Sequence, residues 1–258
     1  MKLDIHVSLA YLLGAQRTAL LALEAARTDG QNVLEDHLHI ADAEVSSLEG
    51  EWGVGRRSWI SLREKTMRLN YRATVSVTRN PTSLSGLSQA DVTELSSELV
   101  TFLRPSRYCQ SDLLERFAAD HFGHLTGGAK IAAILEWIEA GMTYDPFHST
   151  AETTAMETFA AQRGVCRDYA HLLCALARAS HIPARYVSGY GLSVDPPDFH
   201  AVVQVWLENA WHMVDPTGMC RPDEIAMIAV GRDAADVPFM ETPDEARFLE
   251  QNVRVTVG

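Results

Sequence analysis

Cysteine is scarce in this chain and never paired in sequence. The four residues, Cys109, Cys166, Cys174 and Cys220, form no CxxC. That excludes a disulfide-stapled scaffold and paired zinc-ligand spacing, and it fits free thiols in a reducing, cytoplasmic compartment. Cys166 and Cys174 stand too far apart along one predicted helix to bridge each other. Positive charge is also short. Lys and Arg number 22 against 34 Asp and Glu, a formal charge of -12, which argues against a nucleic-acid backbone or an anionic membrane as partner. No apolar run is long enough to span a membrane. Lys2 and the run Val7–Gly14 imitate a signal peptide, but Asp4, His6 and Arg17 interrupt it, so no cleaved leader is expected. There is no glycine-rich phosphate loop, which removes nucleotide chemistry as a default. His171, His181, His200 and His212 show no HExxH spacing, so neither metal nor cofactor is expected.

What is present is an ordinary globular composition, 47% hydrophobic and 22% charged over 258 residues, enough for one large core or two modest ones. Leu3, Ile5, Val7 and Leu9 alternate with polar residues, as do Leu69, Tyr71, Ala73, Val75 and Val77. Both stretches read as half-buried strands. Leu38–Ala41 and Trp59–Leu62 are shorter strand candidates. Thr18–Arg27 is ambiguous: its Leu, Ala and Glu content favours a helix, yet strand-like segments flank it. Residues 1–103 therefore read as a mostly β domain, a sandwich, with a boundary near Arg104-Pro105-Ser106.

The second domain, 104–258, is predicted to be helical first. Ser111 is a cap candidate for a helix whose apolar face holds Leu113, Leu114, Phe117 and Ala118. A second helix spans about 129–140 and stops at Gly141. Thr153–Gln162 leads into a central helix over about 165–180, ended by Pro183. Ala184–Gly191 and Phe199–Glu208 read as strands. Asn209-Ala210 marks a turn, and Trp211–Val214 returns. Val253–Val257 is a last strand, assigned to this second domain although either could take it.

Chemistry concentrates in that domain. Cys166 follows a Gly-containing turn and opens a helix, where unpaired N–H groups and the helix dipole favour a thiolate. His200 offers an acid/base, and Asp215 a carboxylate to orient it. Their order in one domain points to a Cys166–His200–Asp215 acyl-transfer triad. The Cys166 N–H is a candidate donor for the oxyanion. One step is incomplete. A tight turn at Asn209-Ala210 sets Val203 near Asp215, which leaves His200 about three residues, or roughly 10 Å, away. Asp168 and His171, one turn apart, read as a helix-face or domain-stabilising pair rather than a second charged site. Asp198 reads as loop chemistry. Cys109, Cys174 and Cys220 read as small buried hydrophobes.

Arg163-Gly164-Val165-Cys166-Arg167-Asp168-Tyr169-Ala170-His171, Ile182–Tyr190, Phe199-His200-Ala201 and Val214-Asp215-Pro216-Thr217 together resemble the bacterial transglutaminase-like superfamily, which shares its core with papain-like cysteine proteases. The likeness covers about 108–220, and Leu103–Tyr108 is similar to the junction that follows the family's N-terminal β region. It implies an α+β fold: a mostly β domain, then a core with the Cys-bearing helix packed on an antiparallel sheet. It carries the nucleophile onto Cys166, the acid/base onto His200 and the orienting acid onto Asp215, with Tyr144 as a second oxyanion candidate. Ala201-Val202-Val203-Gln204 departs from the family's Ala-Trp-Val-Glu, which alters the sheet beside the triad. The calcium loops of animal transglutaminases find no match.

These residues imply a thioester route on peptide, isopeptide or glutamine-type amides of a protein or peptide substrate. Water as acceptor gives a cysteine peptidase-like hydrolase, and an amine gives a transglutaminase. A peptide-binding module that kept the fold is the non-enzymatic alternative. Substrate identity and oligomeric state are not readable from the chain.

Overall fold

The computed structural model describes all residues, 1–258. Its first strands are β1 (Lys2–Leu13), β2 (Thr18–Leu21), β3 (Gln31–Ile40), β4 (Ala43–Glu49), β5 (Arg56–Leu62) and β6 (Thr66–Val77). The two alternating stretches pair with each other. Antiparallel register sets Leu3 opposite Val75, Ile5 opposite Ala73, Val7 opposite Tyr71 and Leu9 opposite Leu69. Because side chains repeat every two residues, this register turns both apolar sets to one buried face. Each large side chain so buried contributes about 1.5–3 kcal/mol. β4 escaped the sequence reading because it is an edge strand with exposed residues along nearly its whole length.

The helices follow: α1 (Ser97–Thr101), α2 (Glu115–Phe122) and α3 (Gly127–Gly141). Ser111 opens a 3-10 turn rather than capping α2, and Leu113 is left 62% exposed, outside the predicted apolar face. A two-residue strand β7 (Thr143–Tyr144), α4 (Ala155–Ala161) and β8 (Arg163–Gly164) lead to α5 (Cys166–Ala179). Thr154 and Glu157 form a reciprocal capping box on α4. Then come β9 (Ala184–Gly191), β10 (Phe199–Leu207), β11 (Ala210–Val214), β12 (Ile225–Gly231), β13 (Met240–Glu241) and β14 (Ala246–Val257). The sheet β11-β10-β9-β12 is antiparallel. α5 packs on β9 and β10, and Tyr169, Leu172, Leu173, Leu176 and Ala177 are buried in the same apolar cluster as Ala201, Val203 and Val205. The α+β architecture is thus a Cys-bearing helix on an antiparallel sheet, joined to paired β-sheets.

The last strand does not extend the helix-and-sheet unit, as the 104–258 assignment had it. β14 pairs with β1 from Leu3–Val257 to Leu13–Ala246, and β13 pairs with β2. The sheet orders are β14-β1-β6-β3 and β13-β2-β5-β4. Without β14, the twelve-residue β1 would be a long unpaired edge.

Thr18–Arg27 is extended, not helical. After β2 its residues 22–26 are buried between the two regions. The Leu23 carbonyl accepts the Tyr190 hydroxyl at 2.5 Å, and the Ala25 N–H donates to the Tyr71 hydroxyl at 2.8 Å. Gln31 clamps the same seam. Its amide donates to the Ala26 and Met227 carbonyls and accepts the Met227 N–H. Gly55 passes so close that a Cβ would meet the Ile228 carbonyl at 2.2 Å.

Candidate active site

Cys166 is the first residue of α5. The turn before it is held by Asp168, fully buried, whose Oδ2 accepts the Val165 N–H at 2.8 Å. Gly164 permits this, because a Cβ there would stand 2.5 Å from that carboxylate. β7 and β8 pair in parallel, with Tyr144 beside Gly164. That brings the Tyr144 phenol against the backbone and thiol of Cys166. Burial first, then the thiol's charge, push the phenol up to about 12, so it stays a hydrogen-bond donor at neutral pH.

His200 is the second residue of β10 and its side chain is 1% exposed. Its Nε2 lies 2.7 Å from Asp215 Oδ2. Its Nδ1 is buried and has no partner. The imidazole and the Cys166 thiol line the same cavity. Burial works against the imidazolium, but the hydrogen bond to Asp215 and the charges of Asp215 and the nearby Cys166 outweigh it. The ring is held up to about 9. With Nε2 committed to the carboxylate, Nδ1 is the nitrogen that can serve the sulfur.

The predicted gap between His200 and Asp215 closes through register. The two-residue loop is Glu208-Asn209, both with positive φ as a primed turn requires, so Leu207 pairs with Ala210 and Val203 with Val214. One step further sets Asp215 across from Val202 rather than Val203. A one-residue shift changes the face. Asp215 now shares the face of His200 and meets it on the diagonal, within side-chain reach.

Beyond Val214 the chain leaves the strand in an Asx turn. Asp215 Oδ1 accepts the Thr217 N–H at 2.9 Å and hydroxyl at 2.7 Å, and Oδ2 also accepts the Cys220 N–H at 2.9 Å. Burial favours the neutral acid, but the bonds from His200 and Thr217 win and keep it below the usual carboxylate range. The Thr217 contacts are foreshadowed by Asp-Pro-Thr-Gly. Nothing in the sequence signals the Cys220 N–H.

His200, Asp215 and Cys220 place their ligand atoms within 4.8 Å of one another, the one metal-like group in the fold. It is a poor metal site. Nε2 and Oδ2 already bind each other, and burial pushes the Cys220 thiol up to about 11. The same protonation makes Cys220 a poor nucleophile.

Asp168 and His171 form no second charged site. Asp168 caps α5, while His171 lies between the Tyr108 and Tyr186 rings and accepts the Ala234 N–H at 3.1 Å. Asp198 holds the loop before β10, accepting the Phe199 N–H and the Gln251 amide. Arg167, beside the nucleophile candidate, donates to the Ser149 hydroxyl at 2.9 Å and to the Thr150 carbonyl, and Tyr108 donates to the Ala151 carbonyl at 2.9 Å. Sequence reading missed this tether of the 145–154 loop.

The Transglutaminase-like superfamily model matches residues 116–216. A solved structure from Cytophaga hutchinsonii, described as a "putative cysteine protease", aligns with a TM-score of 0.90 and 32% identity over 99% of this chain and 90% of that one. The chain belongs to the transglutaminase-like superfamily. A Mycobacterium tuberculosis uncharacterized protein is 36% identical over 117 residues, 39% of this chain and 37% of that protein. A Pseudomonas aeruginosa protein-glutamine gamma-glutamyltransferase is 32% identical over 120 residues, 40% of this chain and 17% of that protein. A Mycobacterium leprae relative is matched over 41% of its length, so the chain spans about two fifths of the first curated relatives it matches. No helix of this transglutaminase-like chain is long and apolar enough to cross a membrane.

Proposed function

We propose that the protein is a cysteine-dependent acyl-transfer enzyme, acting on an amide of a protein or peptide substrate and using water as acceptor. The observation that carries this reading is the buried His200–Asp215 pair at 2.7 Å, with Nδ1 free, lining one cavity with the Cys166 thiol. Cys166 Sγ attacks the carbonyl carbon and a C–S bond forms. The carbonyl oxygen takes the charge and is met by the Cys166 N–H and the Tyr144 hydroxyl. Collapse breaks the C–N bond, and the His200 imidazolium gives its proton to the departing amine. His200 then takes a proton from water, whose oxygen attacks the thioester. The C–S bond breaks, and an acid and the free enzyme remain. Asp215 holds the ring plane and favours the imidazolium.

An amine in place of water gives transglutamination, the activity named for the Pseudomonas relative. Water is favoured because it is the abundant nucleophile in an open cleft. The four free thiols fit the cytoplasmic setting we propose. The test is alkylation followed by mass spectrometry across pH. Selective modification of Cys166 well below pH 8.5, the ordinary thiol range, and its loss in His200→Ala, supports the enzyme. Cys166 alkylation that rises only at about pH 8.5 and is unchanged in His200→Ala overturns it in favour of a peptide-binding module.

A further inference from the structure

The cavity that holds the thiol is about 330 Å³ and mostly apolar in its walls, the lower end of the range for a ligand pocket. Phe199 and Phe239 stack at 5.2 Å on one side, and Ile228, Val237, Ala22 and Ala234 contribute elsewhere. Both ends of the chain build the wall. The Phe239 carbonyl accepts the Ala22 N–H at 3.0 Å, and Met240 pairs with Leu21 across β13 and β2. The wall is therefore fixed by backbone pairing. Its unpartnered polar atoms are the buried Ser188 hydroxyl, the Arg167 Nε and, beside the thiol, His200 Nδ1.

The geometry points to an acyl-side specificity pocket for a large apolar side chain, leucine-like or aromatic, on the residue whose carbonyl Cys166 attacks. This rests on the acyl-transfer reading. In a thioester the acyl part stays bonded to Sγ while the amine departs. Its side chain must therefore lodge within a few bonds of the sulfur, and this cavity has Cys166 in its own wall. Burial there removes apolar surface from water. A glutamine side chain on that residue brings two N–H donors and a carbonyl, and against the apolar walls of Phe199, Ile228, Val237 and Phe239 most of those hydrogen bonds would go unmade. The pocket thus selects a large apolar side chain over glutamine on the residue whose main-chain carbonyl is attacked.

The test uses peptidyl chloromethyl ketones ending in Phe, Leu, Gly, Gln or Lys, with iodoacetamide as a side-chain-blind control, and reads the rate of Cys166 alkylation. The Phe and Leu reagents should react about tenfold or more faster than the others. Ala234→Leu, which fills the pocket, should remove that advantage when each reagent's rate is divided by the same variant's iodoacetamide rate. Phe239→Ala, which opens one wall, should flatten the preference, and it serves if the filled variant does not fold. Selective iodoacetamide labelling of Cys166 with Gly, Gln or Lys reagents as fast as Phe and Leu overturns the pocket alone. Cys166 labelling by iodoacetamide that rises only at about pH 8.5 and is unchanged in His200→Ala overturns the acyl-transfer reading beneath it.

Discussion

His171 and His200 are both buried imidazoles, one on α5 and one on β10, and they titrate in opposite directions. His171 is fully buried between two tyrosine rings. Burial, reinforced by the Arg167 and Arg178 charges, holds it well below 6.5. His200 suffers the same burial, yet Asp215 and the Cys166 thiol lift it to about 9. Desolvation alone neutralises a histidine, whereas an anionic partner in hydrogen-bond contact reverses that outcome. The first imidazole is a packing element. The second carries the charge that acyl transfer needs.

The sharpest way to break this comparison is to remove either end of the site. Cys166→Ala or His200→Ala should cut turnover about 10⁴-fold or more, measured on a peptide substrate. His171→Phe should leave turnover within a few-fold. Asp215→Asn should cost on the order of 10²- to 10⁴-fold and should also move the pH profile. On the proposed mechanism the alkaline limb of the unsubstituted protein should fall near pH 9, where His200 loses its proton. In the variant that limb should move toward or below pH 6.5. Tyr144→Phe should cost about 100-fold in kcat, through one lost oxyanion donor, with little change in KM.

The smallest effects are in stability, and their signs differ between the two rings. The folded-state pKa of His200 lies above its unfolded value. Its stabilisation is full below about pH 6.5 and declines as pH rises through about 9, by at most about 3 kcal/mol. The folded-state pKa of His171 lies below its unfolded value. Its stabilisation is present above about pH 6.5 and is lost as pH falls below that. Thermal unfolding across pH should show Asp215→Asn flattening the alkaline slope and His171→Phe flattening the acid slope.

The helix and strands around the site were legible because their patterns are strong. Cys166 after a Gly turn, Pro183 as a stop and the β-branched runs of β9 and β10 each carry a local signal. What was illegible depends on partners distant in sequence. Residues 22–26 have helix-forming composition, but the Tyr190 and Tyr71 hydroxyls bind their backbone in an extended form. The β14 partner is β1, more than two hundred residues earlier. The His200–Asp215 register turned on which two residues form the hairpin loop, and that one-residue difference decides the face.

The most direct measurement is an NMR titration of the His200 ring, compared with His171 in the same spectrum. The account predicts that His200 stays protonated until about pH 9, that His171 stays neutral across the neutral range, and that Asp215→Asn returns His200 to or below 6.5. A His200 that titrates at or below 6.5 in the native protein would contradict it.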